Sequence, residues 1–283
     1  MSETNKDSKD FWSGKGGDIW VERQETMDEM LFPFGEEVLN KLELGQNLHV
    51  LDIGCGCGTT TLDIAKRIKR GKVTGIDISQ PMLQKAKKSA KDKFLSNTSF
   101  LRLDVQSDDI GEGVYTTAFS RFGVMFFEDP VAAFTNINKS LVTNAQLSFV
   151  CWQSPSLNPW QSLFIQEVRK LINLPSPPPR SPGPFAFSES SYINSILEES
   201  NFVEVEIESF ETDVKMFSGS SLSDAVKDYL SINPVVSEML KDSPDDLKDQ
   251  VVNAVIEVFT PYYSESGLIF PSASWIVNAN KKV

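Results

Sequence analysis

VLDIGCGCGTTTLDIA, residues Val50–Ala65, decides how the rest of this chain is read. An apolar run holding one carboxylate, Asp52, closes on three glycines at alternate positions, Gly54, Gly56 and Gly58, with Cys55 and Cys57 between them. The TTTLDIAKRIKR that follows has the spacing of an amphipathic helix. Strand, glycine turn and helix in that order begin a parallel β–α–β unit. Glycines at such a turn allow a tight bend and let a ligand approach the backbone. Zinc sites commonly pair cysteines two to four residues apart with a second pair elsewhere. Here the only other cysteine is Cys151, and His49, the sole histidine, begins the same strand. No metal is expected, and a redox pair is disfavoured because alternate residues of an extended turn point apart. The cysteines read as small fillers. A nicotinamide fingerprint wants glycine at its first, third and sixth positions; counted from Gly54, the sixth is Thr59.

The same rhythm continues outward. KVTGIDIS reads as a buried strand and PMLQKAKKSAKDK as a helix opening on proline. SFLRLDV and YTTAFSRFG are strands, PVAAFTNINKSL a helix and QLSFVCW a strand. Strands alternating with helices predict a doubly wound α/β sheet over about residues 48–152. Upstream, Trp20, Met27, Met30, Leu31 and Phe34 form a helical stripe. Pro33 is expected to interrupt it, with a second helix carrying Val38, Leu39 and Leu42 and stopping near Gly45. Residues 1–10 are expected to be disordered. Beyond Trp152, LPSPPPRSPGPF (174–185) reads as an extended loop, SSYINSILEES as a helix and NFVEVEIESF as a half-buried strand. SLSDAVKDYLSI and PDDLKDQVVNAVIEVF read as helices inserted before a last strand, ASWIVNAN.

The 283 residues suit one large domain or two small ones, 40% hydrophobic and 23% charged, with a formal net charge of -12. That acidity opposes a nucleic-acid partner, and the lysine-rich run Lys85–Lys93 reads as a solvated helix face. The start MSETNKDSKD has no apolar signal region, and no run of about 18 apolar residues spans a membrane, so no membrane partner is expected. Three cysteines without framework spacing fit a reducing, cytoplasmic setting.

Asp52, Gly54, Gly56 and Gly58 resemble motif I of class I S-adenosylmethionine (SAM)-dependent methyltransferases. The flanking stretches WSGKGGDIWVERQETMDEMLFPFGEEVL, SRFGVMFFEDPVAAF, CWQSPSLNPW, PGPFAF and SASWIVNANK are similar to a bacterial subgroup of small-molecule and generic methyltransferases. The resemblance implies a Rossmann-like sheet, mostly parallel with an antiparallel last strand, and SAM as cofactor. It implies that Asp52 lies near the methionine amino group and that Asp77 accepts the ribose hydroxyls. Ile78 and Met82 would flank the adenine, and Asp104, beside Val105, would lie near its amino group. Ser120, heading SRFG, joins this set, and Trp20 is expected to close over the cofactor. Residues 1–47 would form an N-terminal helical lid and 48–152 the SAM-binding core. Residues 153–211 and 266–283 would complete the core, with 212–265 a helical insertion covering the acceptor.

Methyl transfer is an in-line displacement that needs alignment and exclusion of water. His49 falls at the wrong end of its strand to serve as a base. Asp129, before Pro130, reads first as a helix cap, and Tyr192, Tyr262 and Tyr263 are acceptor-site candidates without positional support. Arg121 is the weak catalytic candidate, placed to hold an anionic group or to form a structural ion pair. SRFG in place of the amino-methylating Asn/Asp-Pro-Pro-Tyr/Phe signature argues against nucleobase or amide acceptors and for a small, partly apolar molecule. The alternatives are a non-catalytic SAM-binding or partner-binding protein and, less favoured, a nicotinamide-dependent oxidoreductase.

Overall fold

The structure is a computed structural model and describes residues 9–42 and 44–282. Residues 9–13 are helical, followed by α1 (Lys15–Glu22) and α2 (Gln24–Lys41). The chain then alternates β1 (His49–Ile53), α3 (Thr59–Arg67), β2 (Lys72–Asp77), α4 (Gln80–Asp92), β3 (Thr98–Arg102), β4 (Tyr115–Arg121), α5 (Pro130–Ser140) and β5 (Leu141–Trp152). After α6 (Pro159–Leu171), residues 173–189 carry no regular element, and α7 (Ser190–Glu199) leads into β6 (Phe202–Met216). Next come α8 (Leu222–Ile232), α9 (Pro234–Lys241), α10 (Asp245–Phe259), the short β7 (Tyr263–Ser264) and β8 (Gly267–Lys281).

One sheet results, in the order β3-β2-β1-β4-β5-β8-β6, with β7 on β8. β1 to β5 are parallel, because a helix or long connection returns the chain to the same edge each time. β8 runs antiparallel between β5 and β6. Among the described residues, no helix is long and apolar enough to cross a membrane.

Three expectations need correction. Asp10, with Lys9, is helical; residues 1–8 lie outside the described ones. Pro33 sits inside a continuous α2, and the break falls at Arg23. Losing one helical hydrogen bond at proline costs about 3 kcal/mol. Phe34 and Val38 are fully buried, and Phe34 packs on Phe122, Trp152 and Phe210 at 5.4, 4.9 and 5.8 Å. Burying two such side chains contributes about 1.5–3 kcal/mol each, enough to hold the helix through the proline. Finally, β6 continues to Met216 because Val214 and Met216 are buried on β8, so the insertion starts after residue 216 rather than at 212.

Candidate functional site

The main cavity opens beyond the C-terminal ends of β1, β2 and β4, where ligands of open α/β sheets bind. Its floor is the glycine turn. Gly54 and Cys55 donate their N–H groups to Ile76 O, at 2.9 and 3.1 Å, and Gly54 takes a φ of +64°. A Cβ on Gly54 would lie 2.9 Å from Gly123 Cα, and one on Gly123 would lie 2.8 Å from Ile53 O. Two backbones therefore cross in contact, one after β1 and one after β4, and each crossing position needs a glycine.

Asp77 locks the turn. Its Oδ2 accepts the Gly56 N–H and its Oδ1 the Ser79 N–H, both at 2.8 Å. Burial pushes its carboxyl pKa up against the pull of these bonds. Each oxygen keeps acceptor capacity, and the side chain lines the cavity. Ile78, Met82, Asp104 and Val105 line it beside Asp77. Asp104 accepts from the Gln106 N–H at 3.0 Å and pairs with Lys9 at 2.7 Å.

The roof comes from the N-terminal segment. Trp20 lines the cavity with Trp12, their rings 6.0 Å apart, and Trp12 meets Phe126 edge-on at 5.2 Å. On the other wall, Arg121 at the end of β4 donates to Asp28 of α2 at 2.7 Å, the two side chains 12% and 25% exposed. Asp28 also accepts from Thr59 Oγ1 at 2.7 Å and Gln24 Nε2 at 3.2 Å. Of the two readings of Arg121, the structure has the ion pair.

Three expected cofactor contacts lie behind the cavity wall instead. Asp52 is 1% exposed; its Oδ2 accepts from Thr60 and Thr61 hydroxyls at 2.9 and 2.5 Å, while Oδ1 has no partner among the described residues. Burial pushes its pKa to about 6. Gly58 starts α3 and makes room for Ala86 and Phe100, so it packs helix on strand. Ser120 donates to Ile53 O at 2.8 Å and accepts from the Gly123 N–H at 3.3 Å, bracing the backbone crossing.

The other candidates fall elsewhere. Asp129 caps α5 through the Ala132 N–H, and His49 meets Thr74 at 3.0 Å at the far end of β1. Tyr192 stacks under Arg180, Tyr262 lies on Phe270, and Tyr263 donates to Ser220 O. None of them lines the cavity, nor does any residue of 153–187 or 212–265. The roof is made by residues 9–41, and the insertion braces it from outside through Arg23–Asp228 and Lys15–Glu238. Asp28, Thr59, Phe122 and Phe127 also line the cavity. The sequence reading noted Thr59 only as the missing fingerprint glycine and did not place any of the four in a site, since they meet only through folding.

Residues 50–144 match a family model described as a methyltransferase domain. Aklanonic acid methyltransferase DauC of Streptomyces sp. (strain C5) is 28% identical over 122 residues, 43% of this chain and 56% of that one. Demethylmenaquinone methyltransferase of Lactiplantibacillus plantarum is 28% identical over 141 residues, 47% and 59% of the two chains. The chain thus spans little more than half the length of these relatives. The 23S rRNA (uracil(1939)-C(5))-methyltransferase RlmD of Aliivibrio fischeri is 37% identical over 87 residues, 30% of this chain and 19% of that one. Among solved structures, a putative methyltransferase from Bacillus halodurans aligns with a TM-score of 0.56 at 16% identity, covering 88% of this chain and 99% of that one. Phosphoethanolamine N-methyltransferase 2 of Haemonchus contortus in complex with S-adenosyl-L-methionine aligns at 0.60 with 14% identity, covering 98% and 60%. The matched stretch, residues 50–144, is the part that carries the glycine turn and Asp77, and over it the chain is similar to a methyltransferase domain.

Proposed function

We propose that this protein transfers the methyl group of SAM to a small, partly apolar molecule. The observation that carries this is one cavity in which the glycine turn, Asp77 and an aromatic roof meet. The residues fit the cofactor. A Cβ at Gly56 would meet nothing nearer than Met82 Sδ at 3.7 Å and Trp20 Nε1 at 3.9 Å, so the turn faces open space.

In this reading Asp77 holds the ribose hydroxyls, and Ile78, Met82 and Val105 flank the adenine with Asp104 at its edge. Gly54 and Gly56 make room for the methionine end. When bound, the sulfonium supplies both an activated methyl and its own leaving group. The chain's part is to align and to keep water out. Trp12, Trp20 and Phe126 do the latter and offer aromatic faces to a cation. The lining holds no histidine, and burial raises the Cys57 thiol to about 12, so no thiolate competes for the methyl.

The acceptor class rests on the rest of the lining. Leu31, Phe122, Phe126 and Phe127 are apolar, and Arg121 is satisfied by Asp28 rather than free for an anion. Two relatives are named for aklanonic acid and demethylmenaquinone. The rRNA enzyme shares only a short part of its length, and a net charge of -12 repels RNA.

Calorimetric titration with SAM, S-adenosylhomocysteine and NAD tests the cofactor half. Binding of the first two without heat from NAD is expected; folded, ligand-free protein that binds neither would overturn it. Transfer of labelled methyl to quinones and phenols, against RNA, tests the acceptor half.

A further inference from the structure

The charge of this chain is unevenly spread. Residues 61–99 carry ten Lys and Arg against three Asp, although the whole chain is at -12. One of those three, Asp77, is buried at the cavity. The fold gathers half of these cations at one corner. Asn97, just before β3, donates to Ala65 O at 3.0 Å at the end of α3, and its own carbonyl accepts the Val73 N–H of β2 at 2.9 Å. The C-terminal ends of α3 and α4 therefore lie side by side. Lys69, Arg70, Lys72, Lys91 and Lys93 are exposed there, and none has an ion-pair partner among the described residues.

Phe94 stands among them, 92% exposed. It occupies the residue after the cap of α4 with a φ of +56°. The Leu95 N–H reaches Ala90 O at 3.0 Å and the Phe94 N–H reaches Lys91 O at 3.1 Å. This is the Schellman arrangement, which ordinarily places glycine where Phe94 sits. A phenyl ring here bears backbone strain and full hydration, with no ring contact in return.

We propose that the α3–α4 corner is a docking surface for an anionic lipid bilayer, with Phe94 seated among the headgroups. Lysines around one protruding aromatic suit such an interface, attracting the anionic headgroups while the ring leaves water. A planar surface meets only this corner and leaves the acidic remainder in solution. A flexible polyanion such as RNA would meet both, and the corner presents four lysines, one arginine and a single aromatic rather than the stacked aromatics of RNA sites. The sequence expectation of no membrane partner rested on the lack of a spanning run, which a peripheral contact does not need. The cavity opens at the other end of the strands and stays clear. This inference is independent of the methyl-transfer reading.

The test is co-sedimentation of the full chain with phosphatidylcholine vesicles, with and without phosphatidylglycerol. Binding only to the anionic vesicles is expected, with loss at about 0.5 M salt. Lys91→Gln with Lys93→Gln should weaken it about 25-fold, at about fivefold per lysine. Phe94→Gly should weaken binding while raising Tm, because it relieves the strained backbone. That variant separates the role from folding. A folded chain that ignores anionic vesicles, binds neutral ones equally, or binds undiminished with either variant overturns the proposal. Tighter binding to polyuridylate than to the vesicles also overturns it, in favour of RNA.

Discussion

Asp77→Asn changes one oxygen to an amide and asks whether this carboxylate serves both the loop and the ligand. In the folded chain its oxygens accept the Gly56 and Ser79 N–H groups, each at 2.8 Å. An asparagine can accept only one of them and turns its NH₂ toward the other. A hydrogen bond to a charged group contributes about 1.5–3 kcal/mol, so the turn should lose roughly that much stability. If the remaining acceptor capacity holds a ribose diol, the variant loses charge there too. Each weakened bond of about 1.5–3 kcal/mol lowers S-adenosylhomocysteine affinity by about 10- to 100-fold. The assay is calorimetric titration of wild type, Asp77→Asn and Asp77→Ala, with urea unfolding in parallel. Both variants should bind at least about tenfold more weakly while still folded. A folded Asp77→Asn that binds within about threefold of wild type would refute the ribose assignment. An unchanged unfolding midpoint would refute the locking role.

Three further outcomes are expected. Gly123→Ala has no positive φ to strain, so its cost, about 1–3 kcal/mol by urea unfolding, measures the backbone crossing alone. Gly54→Ala adds roughly 1–2 kcal/mol of left-handed strain, and the double variant should be less than additive because both break one contact. Asp52 has a folded pKa raised to about 6 from 3.8. Its contribution is fully present below about pH 4 and is lost as pH rises through about 6, so wild type should lose stability relative to Asp52→Asn between about pH 4 and 6, at up to about 1.4 kcal/mol per pH unit. Parallel slopes for the two proteins would count against a raised pKa. Asp28→Asn strands the Arg121 guanidinium and should cost about 1–3 kcal/mol, with part restored by adding Arg121→Met; no restoration would mean that Asp28 acts through Thr59 and Gln24 instead.

The core was readable because its signals are local. A strand, a glycine turn and a helix announce themselves within Val50–Ala65, and Asp77 ends the next apolar run. What escaped was pairing across sequence. Gly123 is an unremarkable glycine until Gly54, 69 positions earlier, lies against it. Arg121 left two readings open, since Asp28 arrives from a helix 93 residues away. Asp52 and Ser120 carry the right chemistry on the right strands, but their side chains point into the wall rather than the cavity. That choice is made by Thr60, Thr61 and Ile53 O. Pro33 misled for the complementary reason: a local rule gave way to the burial of Phe34 and Val38.

The position of β8 bears on how the chain is made. β8 pairs with β5 on one side and β6 on the other, yet it follows both in sequence. During synthesis the edges of β5 and β6 wait unpaired while residues 217–266 are added. Among the described residues, β6, fifteen residues long, has no strand partner other than β8. Nascent chains halted before residue 267 should therefore be protease-sensitive along β6 and inclined to pair edge to edge. The exposed carboxylates of Glu204, Glu206, Glu208, Glu211 and Asp213 would hold such edges apart until β8 emerges and closes the sheet in one step.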